Sequence, residues 1–206
     1  ALWMTGNSRT GNWARPAEEA TFFDLKAMVA NIFARLGITE KELSWEKLTG
    51  NDIFSAALEI RTRSGKTLGE AGLIAKTMLA KCDIKQPVAY AQLDWDALVK
   101  LAVKKKVQFT PLPKTQAVKR DLALLIDKTV TMAQIEAIVR ESERKLLREV
   151  TLFDVYEGKS LPEGKKSYAI SMTLQDDEKT LQDKQIDAAM AKIIKNLQAK
   201  AGAELR

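Results

Sequence analysis

The chain contains no histidine and a single cysteine among its 206 residues. Histidine is the commonest general base and the commonest metal ligand, so its absence removes much of the usual enzymatic repertoire. With one cysteine besides, a zinc site, a Ser-His-Asp triad and a Cys-His pair are all excluded. Neither a Gly-x-x-x-x-Gly-Lys-Ser/Thr run nor a Gly-x-Gly-x-x-Gly run is present to cradle phosphates. A carboxylate-only active site stays open, but no motif marks one. Binding is therefore expected rather than catalysis, with no metal and no cofactor. Cys82 has no partner for an internal disulfide, which suits a reducing cytoplasm, and it reads as buried and inert. No apolar run approaches the roughly 18 residues of a membrane helix, and no signal peptide opens the chain. The expectation is a cytoplasmic protein with no membrane partner. Residues 1–5 already read as a strand, so the chain looks like a piece of a longer protein.

What is present is ordinary for a globular protein: 46% apolar and 29% charged residues. The length allows one large domain or two of about 100 residues. The net charge of +6 is uneven, with 20 Lys+Arg against 15 Asp+Glu between Lys104 and Arg206. The second half is thus the candidate polyanion-facing part. Residues 104–114 carry three successive lysines and two prolines, which resist helix and central strand, and mark a linker. The domains expected are 1–103 and 115–206.

After the linker the pattern is strand, helix, strand, strand, helix, short strand. Leu122, Leu124 and Ile126 give the first strand (119–126) a buried side. Thr131 stands three residues before Gln134, a capping-box spacing, and Ile135, Ile138 and Val139 form the helix stripe. Thr180 is expected to cap a second helix with Ile186, Met190, Ile193, Ile194 and Leu197 on one face. Gly202 marks its stop, and residues 203–206 can add a last strand. Two βαβ halves of this kind make the ferredoxin-like split arrangement, βαββαβ, which leaves one sheet face uncovered.

The two central strands carry the most telling residues. In Leu152-Phe-Asp-Val-Tyr156, alternation sends Thr151, Phe153 and Val155 one way and Asp154 and Tyr156 the other. In the next strand, Tyr168, Ile170, Met172 and Leu174 form an apolar face, and Ser167, Ala169, Ser171 and Thr173 a small polar one. Asp154, Tyr156 and Ser167 can therefore share an open face, with Lys165 and Lys166 beside them. A ring, a carboxylate and a hydroxyl together suit a single-stranded base.

The first half is less periodic. A helix opens at Phe22 with the stripe Leu25, Met28, Val29, Ile32 and Leu36, ended by Gly37. Residues 58–63 and 67–74 read as a hairpin around Ser64-Gly65. A short helix (76–81), a strand (87–93) and a helix capped by Asp94 follow. Trp3, Trp13, Phe22, Phe23, Trp45 and Trp95 read as core or interface residues. The fold class is α+β throughout.

Several runs carry a family resemblance. Val118-Lys-Arg-Asp-Leu-Ala-Leu124, Leu152-Phe-Asp-Val-Tyr156, Leu161-Pro-Glu-Gly-Lys-Lys-Ser167, Thr180-Leu and Gly202-Ala-Glu-Leu-Arg206 resemble the ferredoxin-fold anticodon-binding domain that ends bacterial phenylalanyl-tRNA synthetase beta subunits. Gly6, Trp13, Phe22-Phe-Asp-Leu-Lys26 and Pro87-Val-Ala-Tyr-Ala-Gln-Leu-Asp94 resemble the catalytic-like module that precedes it. One departure is residues 114–118, where relatives often carry an aromatic-proline pair.

The resemblance implies a class II synthetase-like antiparallel sheet without catalytic residues, followed by an anticodon-binding domain. It implies tRNA(Phe) and a synthetase alpha subunit as partners in an alpha2-beta2 tetramer, and no DNA. ATP and Mg would serve adenylation in the alpha subunit. Asp154, Tyr156 and Ser167 match family positions that contact the anticodon, and Lys165 and Lys166 could meet phosphates. The carboxylate of Asp154 suits the two adjacent donors of guanine, the first base of a phenylalanine anticodon. Two other classes stay open. One is a small-molecule regulatory domain that binds an amino acid, although its expected glycine is missing from residues 127–131. The other is a pure assembly module.

Overall fold

The computed structural model describes residues 1–105, 109, 111–158 and 160–206. It divides into two compact units, Ala1–Phe109 and Thr110–Arg206. Of the expected linker, residues 106–108 and 110 lie outside the described residues.

The first unit runs β1 (Leu2–Thr5), β2 (Asn7–Arg9), β3 (Glu18–Glu19), α1 (Phe22–Arg35), a 3-10 turn (Glu40–Glu42), β4 (Leu43–Leu48), β5 (Phe54–Thr62), β6 (Thr67–Ile74), α2 (Lys76–Lys81), β7 (Val88–Leu93) and α3 (Trp95–Ala102). Five strands form an antiparallel sheet in the order β1-β7-β6-β5-β4. Thr21 opens α1 through a reciprocal cap: its backbone N–H donates to the Asp24 carboxylate at 2.7 Å, and the Asp24 N–H donates to its hydroxyl at 3.4 Å. Leu25, Val29 and Phe33, four residues apart, are the buried face of α1. Met28 was expected in that stripe but is half exposed, because the buried ridge follows the i, i+4 row.

Of the aromatic residues expected in a core or an interface, Trp3, Trp13, Phe23 and Trp95 are exposed, Trp13 completely so, because they sit on strand edges, loops and outer helix faces. Phe22 and Trp45 alone of the six pack against the core. Cys82 is exposed, not buried, since it follows the last turn of α2, whose inward residue is Leu79. β4 carries no strand signal in the sequence, because its polar residues hide its alternation.

The second unit runs β8 (Val118–Asp127), α4 (Met132–Ser142), β9 (Leu147–Tyr156), β10 (Lys165–Leu174), α5 (Asp183–Ala201) and β11 (Glu204–Leu205). Its antiparallel sheet has the order β11-β8-β10-β9, the ferredoxin-like arrangement of two interleaved βαβ halves. Both helices lie against one face. Leu124, Ile126, Ile170, Met172 and Leu174 from the sheet meet Ile135, Val139, Ile186, Ile193 and Leu197 from the helices in one core. Each such side chain contributes roughly 1.5–3 kcal/mol on burial. The buried Ser142 hydroxyl donates to the Ile138 carbonyl at 2.6 Å and accepts from Asn196 at 2.8 Å, so no polar group is stranded between α4 and α5.

The expected Thr131–Gln134 cap is present. At α5 the cap is Gln182, not Thr180. The Asp176 carboxylate accepts the N–H groups of Glu178 and Lys179 and holds a turn there, while Leu181 is drawn into the core. The helix can start only after that anchor. Gly202 ends it in the left-handed region at φ 58°, where a side chain would be strained.

Candidate nucleic-acid interface

Helices α4 and α5 cover one face of the second sheet, and the residues that matter stand on the other. Cross-strand partners share a face. Three rows follow from the pairing: Tyr156–Ser167–Leu125–Glu204, then Asp154–Ala169–Ala123, then Thr151–Ser171–Asp121. Asp154, Tyr156 and Ser167 therefore share the helix-free face, in adjacent rows. Ala169, Ala123 and Ser171 make a floor of small side chains beside the carboxylate.

A bulge corrects one part of the sequence reading. Ala169 pairs with Asp154, but Ile170 pairs with Leu152, so Phe153 has no partner. The extra residue resets the alternation. Thr151 joins Asp154 and Tyr156 on the open face, Leu152 and Val155 share the helix side, and Phe153 stands exposed at the sheet edge. A bulge has no signature in a single sequence, which is why simple alternation puts Thr151 on the side opposite Asp154 and Tyr156.

The candidates differ in accessibility. Tyr156 is 41% exposed, and its hydroxyl lies 2.9 Å from that of Ser160. Asp154 is exposed, and among the described residues it has no hydrogen-bond or ion-pair partner. Ser167 lies in the floor at 7% exposure. Lys165 is on the open face, 3.4 Å from the Asp127 carboxylate.

Lys166 points to the helix side instead. It is 7% exposed, and its ammonium donates to the Tyr168 hydroxyl at 2.9 Å and sits 4.5 Å from that ring's centre. The expected pair of neighbouring basic contacts is thus split between faces, as alternation requires of adjacent strand residues. Among the described residues, Asp121, Glu149, Asp154 and Glu204 offset Lys119 and Lys165 on this face, so their positive surplus does not gather here. The arrangement is suited to base edges and ring faces more than to a run of phosphates.

Residues 113–206 match the family model described as "Ferredoxin-fold anticodon binding domain". Residues 1–95 match "Phenylalanyl tRNA synthetase beta chain CLM domain". Similar proteins include the phenylalanine–tRNA ligase beta subunits of Porphyromonas gingivalis and Bacteroides fragilis, each 49% identical over 205 residues, covering 100% of this chain and 25% of the relative. That of Listeria innocua is 34% identical over 203 residues, covering 98% of this chain and 25% of the relative. The chain spans about a quarter of the length of the curated relatives it matches. It belongs to the family of phenylalanine–tRNA ligase beta subunits.

Proposed function

We propose that the second unit recognises the anticodon of tRNA(Phe) on its open sheet face. The supporting observation is the pairing register, which brings Asp154, Tyr156 and Ser167 together on the face opposite α4 and α5. Unpaired RNA bases are read by stacking on aromatic rings and by hydrogen bonds to their Watson–Crick edges. Tyr156 supplies the ring. Asp154 accepts from the two adjacent donors of guanine. Ser167 offers a hydroxyl at the floor, and Lys165 reaches a neighbouring phosphate by exchanging its Asp127 partner.

The first unit serves assembly with a synthetase alpha subunit, in an alpha2-beta2 tetramer whose alpha chains carry out ATP- and Mg-dependent adenylation. Its exposed Trp3, Trp13, Phe23 and Trp95 support this, because aromatic residues are enriched in the buried centres of protein interfaces. This chain itself performs no catalysis.

One stacked base contributes about 1–3 kcal/mol, and one charged hydrogen bond about 1.5–3 kcal/mol. A millimolar complex needs about 4 kcal/mol. The chain alone therefore binds RNA at roughly millimolar to high-micromolar levels, and a full synthetase adds its other contacts.

The test places Tyr156→Ala or Asp154→Ala in the complete tetrameric enzyme. The Michaelis constant for tRNA rises while phenylalanine-dependent ATP–pyrophosphate exchange keeps its rate. A well-folded variant that lost both steps together would overturn the division of roles.

A further inference from the structure

Residue 158 stands two residues beyond the tyrosine, and what confines it is space rather than backbone conformation. Gly158 is absent from the positive-φ residues, so conformation alone would permit a side chain. Space does not. A Cβ on Gly158 would fall 2.2 Å from the Tyr156 hydroxyl oxygen, 2.4 Å from Cζ and 3.0 Å from Cε1. The outer half of the ring thus lies directly over the glycine. Beyond it, the Tyr156 and Ser160 hydroxyls are 2.9 Å apart. One side of the ring is backed by peptide and its tip is tethered.

We propose that Gly158 and Ser160 are positioning residues that clasp Tyr156, so that the ring acts on RNA through its remaining face and not through its hydroxyl. The inference rests on the anticodon reading above and deepens it. A phenol held on two sides keeps one orientation before ligand arrives. The ordering entropy of the side chain is then spent in folding rather than in binding. The hydroxyl, committed to Ser160, carries no base recognition, so sequence discrimination falls to Asp154.

The experiment uses the whole chain and two RNA stem-loops, one with the anticodon GAA and one with an unrelated loop. Proton NMR of the free chain supplies an RNA-independent readout: ring currents from Tyr156 displace the Gly158 α-proton signals, and Tyr156→Leu returns them to ordinary positions. Tyr156→Ala weakens GAA binding roughly 5- to 150-fold, the range given by one stacked base. Gly158→Ala removes part of that, about threefold or more, because the ring must swing away from the new methyl.

Tyr156→Phe and Ser160→Ala each weaken binding by about two- to fivefold, the double variant is no weaker than either, and Ser160→Thr, which keeps the hydroxyl, retains the parent value. A loss in Tyr156→Phe that Ser160→Ala does not share would send the hydroxyl to RNA and overturn the proposal. So would an unaffected Gly158→Ala beside a weakened Tyr156→Ala. A Tyr156→Ala chain that binds as tightly as the parent would instead defeat the anticodon reading itself, and the clasp with it.

Discussion

Replacing Asp154 by asparagine keeps the shape of the side chain and changes only what its second atom can do. The carboxylate offers two acceptors toward the two donors of a guanine edge. The amide offers one acceptor and turns a donor toward the other guanine N–H. Ala169 is the cross-strand neighbour of Asp154, so a small, uncharged residue lies beside it and the change meets no protein partner. The loss should equal about one charge-assisted hydrogen bond, 1.5–3 kcal/mol, or about a 10- to 150-fold rise in dissociation constant. Fluorescence anisotropy of labelled tRNA(Phe), titrated with the complete tetrameric synthetase at fixed low salt, reads this directly. Inosine at the first anticodon position completes a cycle, because it lacks the 2-amino donor. The parent should lose much of its affinity on the guanine-to-inosine change and the asparagine variant little more. Equal losses for both proteins would show that residue 154 does not read that base, and an asparagine variant within about twofold of the parent would refute the assignment outright.

Other outcomes follow from the same structure. Ile170→Ala empties a fully buried position in the core of the second unit and should cost about 2–5 kcal/mol, lowering that unit's melting temperature by roughly 10–30 °C in calorimetry; a shift of only a few degrees would contradict the packing described. The Lys200 ammonium, 2.7 Å from Glu141 across α4 and α5, holds that carboxyl below its ordinary value of 4.5, and the backbone N–H groups of Glu178 and Lys179 lower Asp176 from 3.8. A depressed carboxyl stabilises the fold above its unfolded pKa, and the contribution disappears as pH falls through the folded one. Denaturant midpoints should therefore be level from neutrality to about pH 5 and drop below it, less steeply for Glu141→Gln, whereas a rise on acidification would reverse the sign. Cys82 should react fully with an aromatic disulfide reagent in the native chain, and protection until denaturant is added would place it in the core after all.

The parts of the fold that were legible in the sequence are those where burial and local chemistry agree. In the second unit the period of two in residues 168–174, the 3.6-residue stripe of α5, the Thr131–Gln134 cap and Gly202 all point the same way, and the ferredoxin-like order follows from them. Long-range events were not legible. Thr180 has the right chemistry for a cap, but the anchoring of Leu181 in the core moved the start to Gln182. The bulge at Phe153 depends on how β9 meets β10, a register no local pattern encodes. The trio Asp154, Tyr156 and Ser167 survived that error because all three lie on the same side of the bulge. Lys165 and Lys166 looked alike in sequence, and strand alternation separates them: one faces the floor of small residues, the other packs on Tyr168. In the first unit, large rings suit a core or an interface alike, and the structure separates Phe22 and Trp45, which pack on the core, from the exposed Trp3, Trp13, Phe23 and Trp95.

The most direct measurement is a backbone-amide map of the whole chain titrated with the GAA stem-loop. Shifts should concentrate at residues 154–156, 167–171 and 121–125, with the signals of α4 and α5 left in place. Perturbations confined to the two helices, or spread evenly over the surface and lost with modest salt, would mean that RNA is not read on the open face of this sheet.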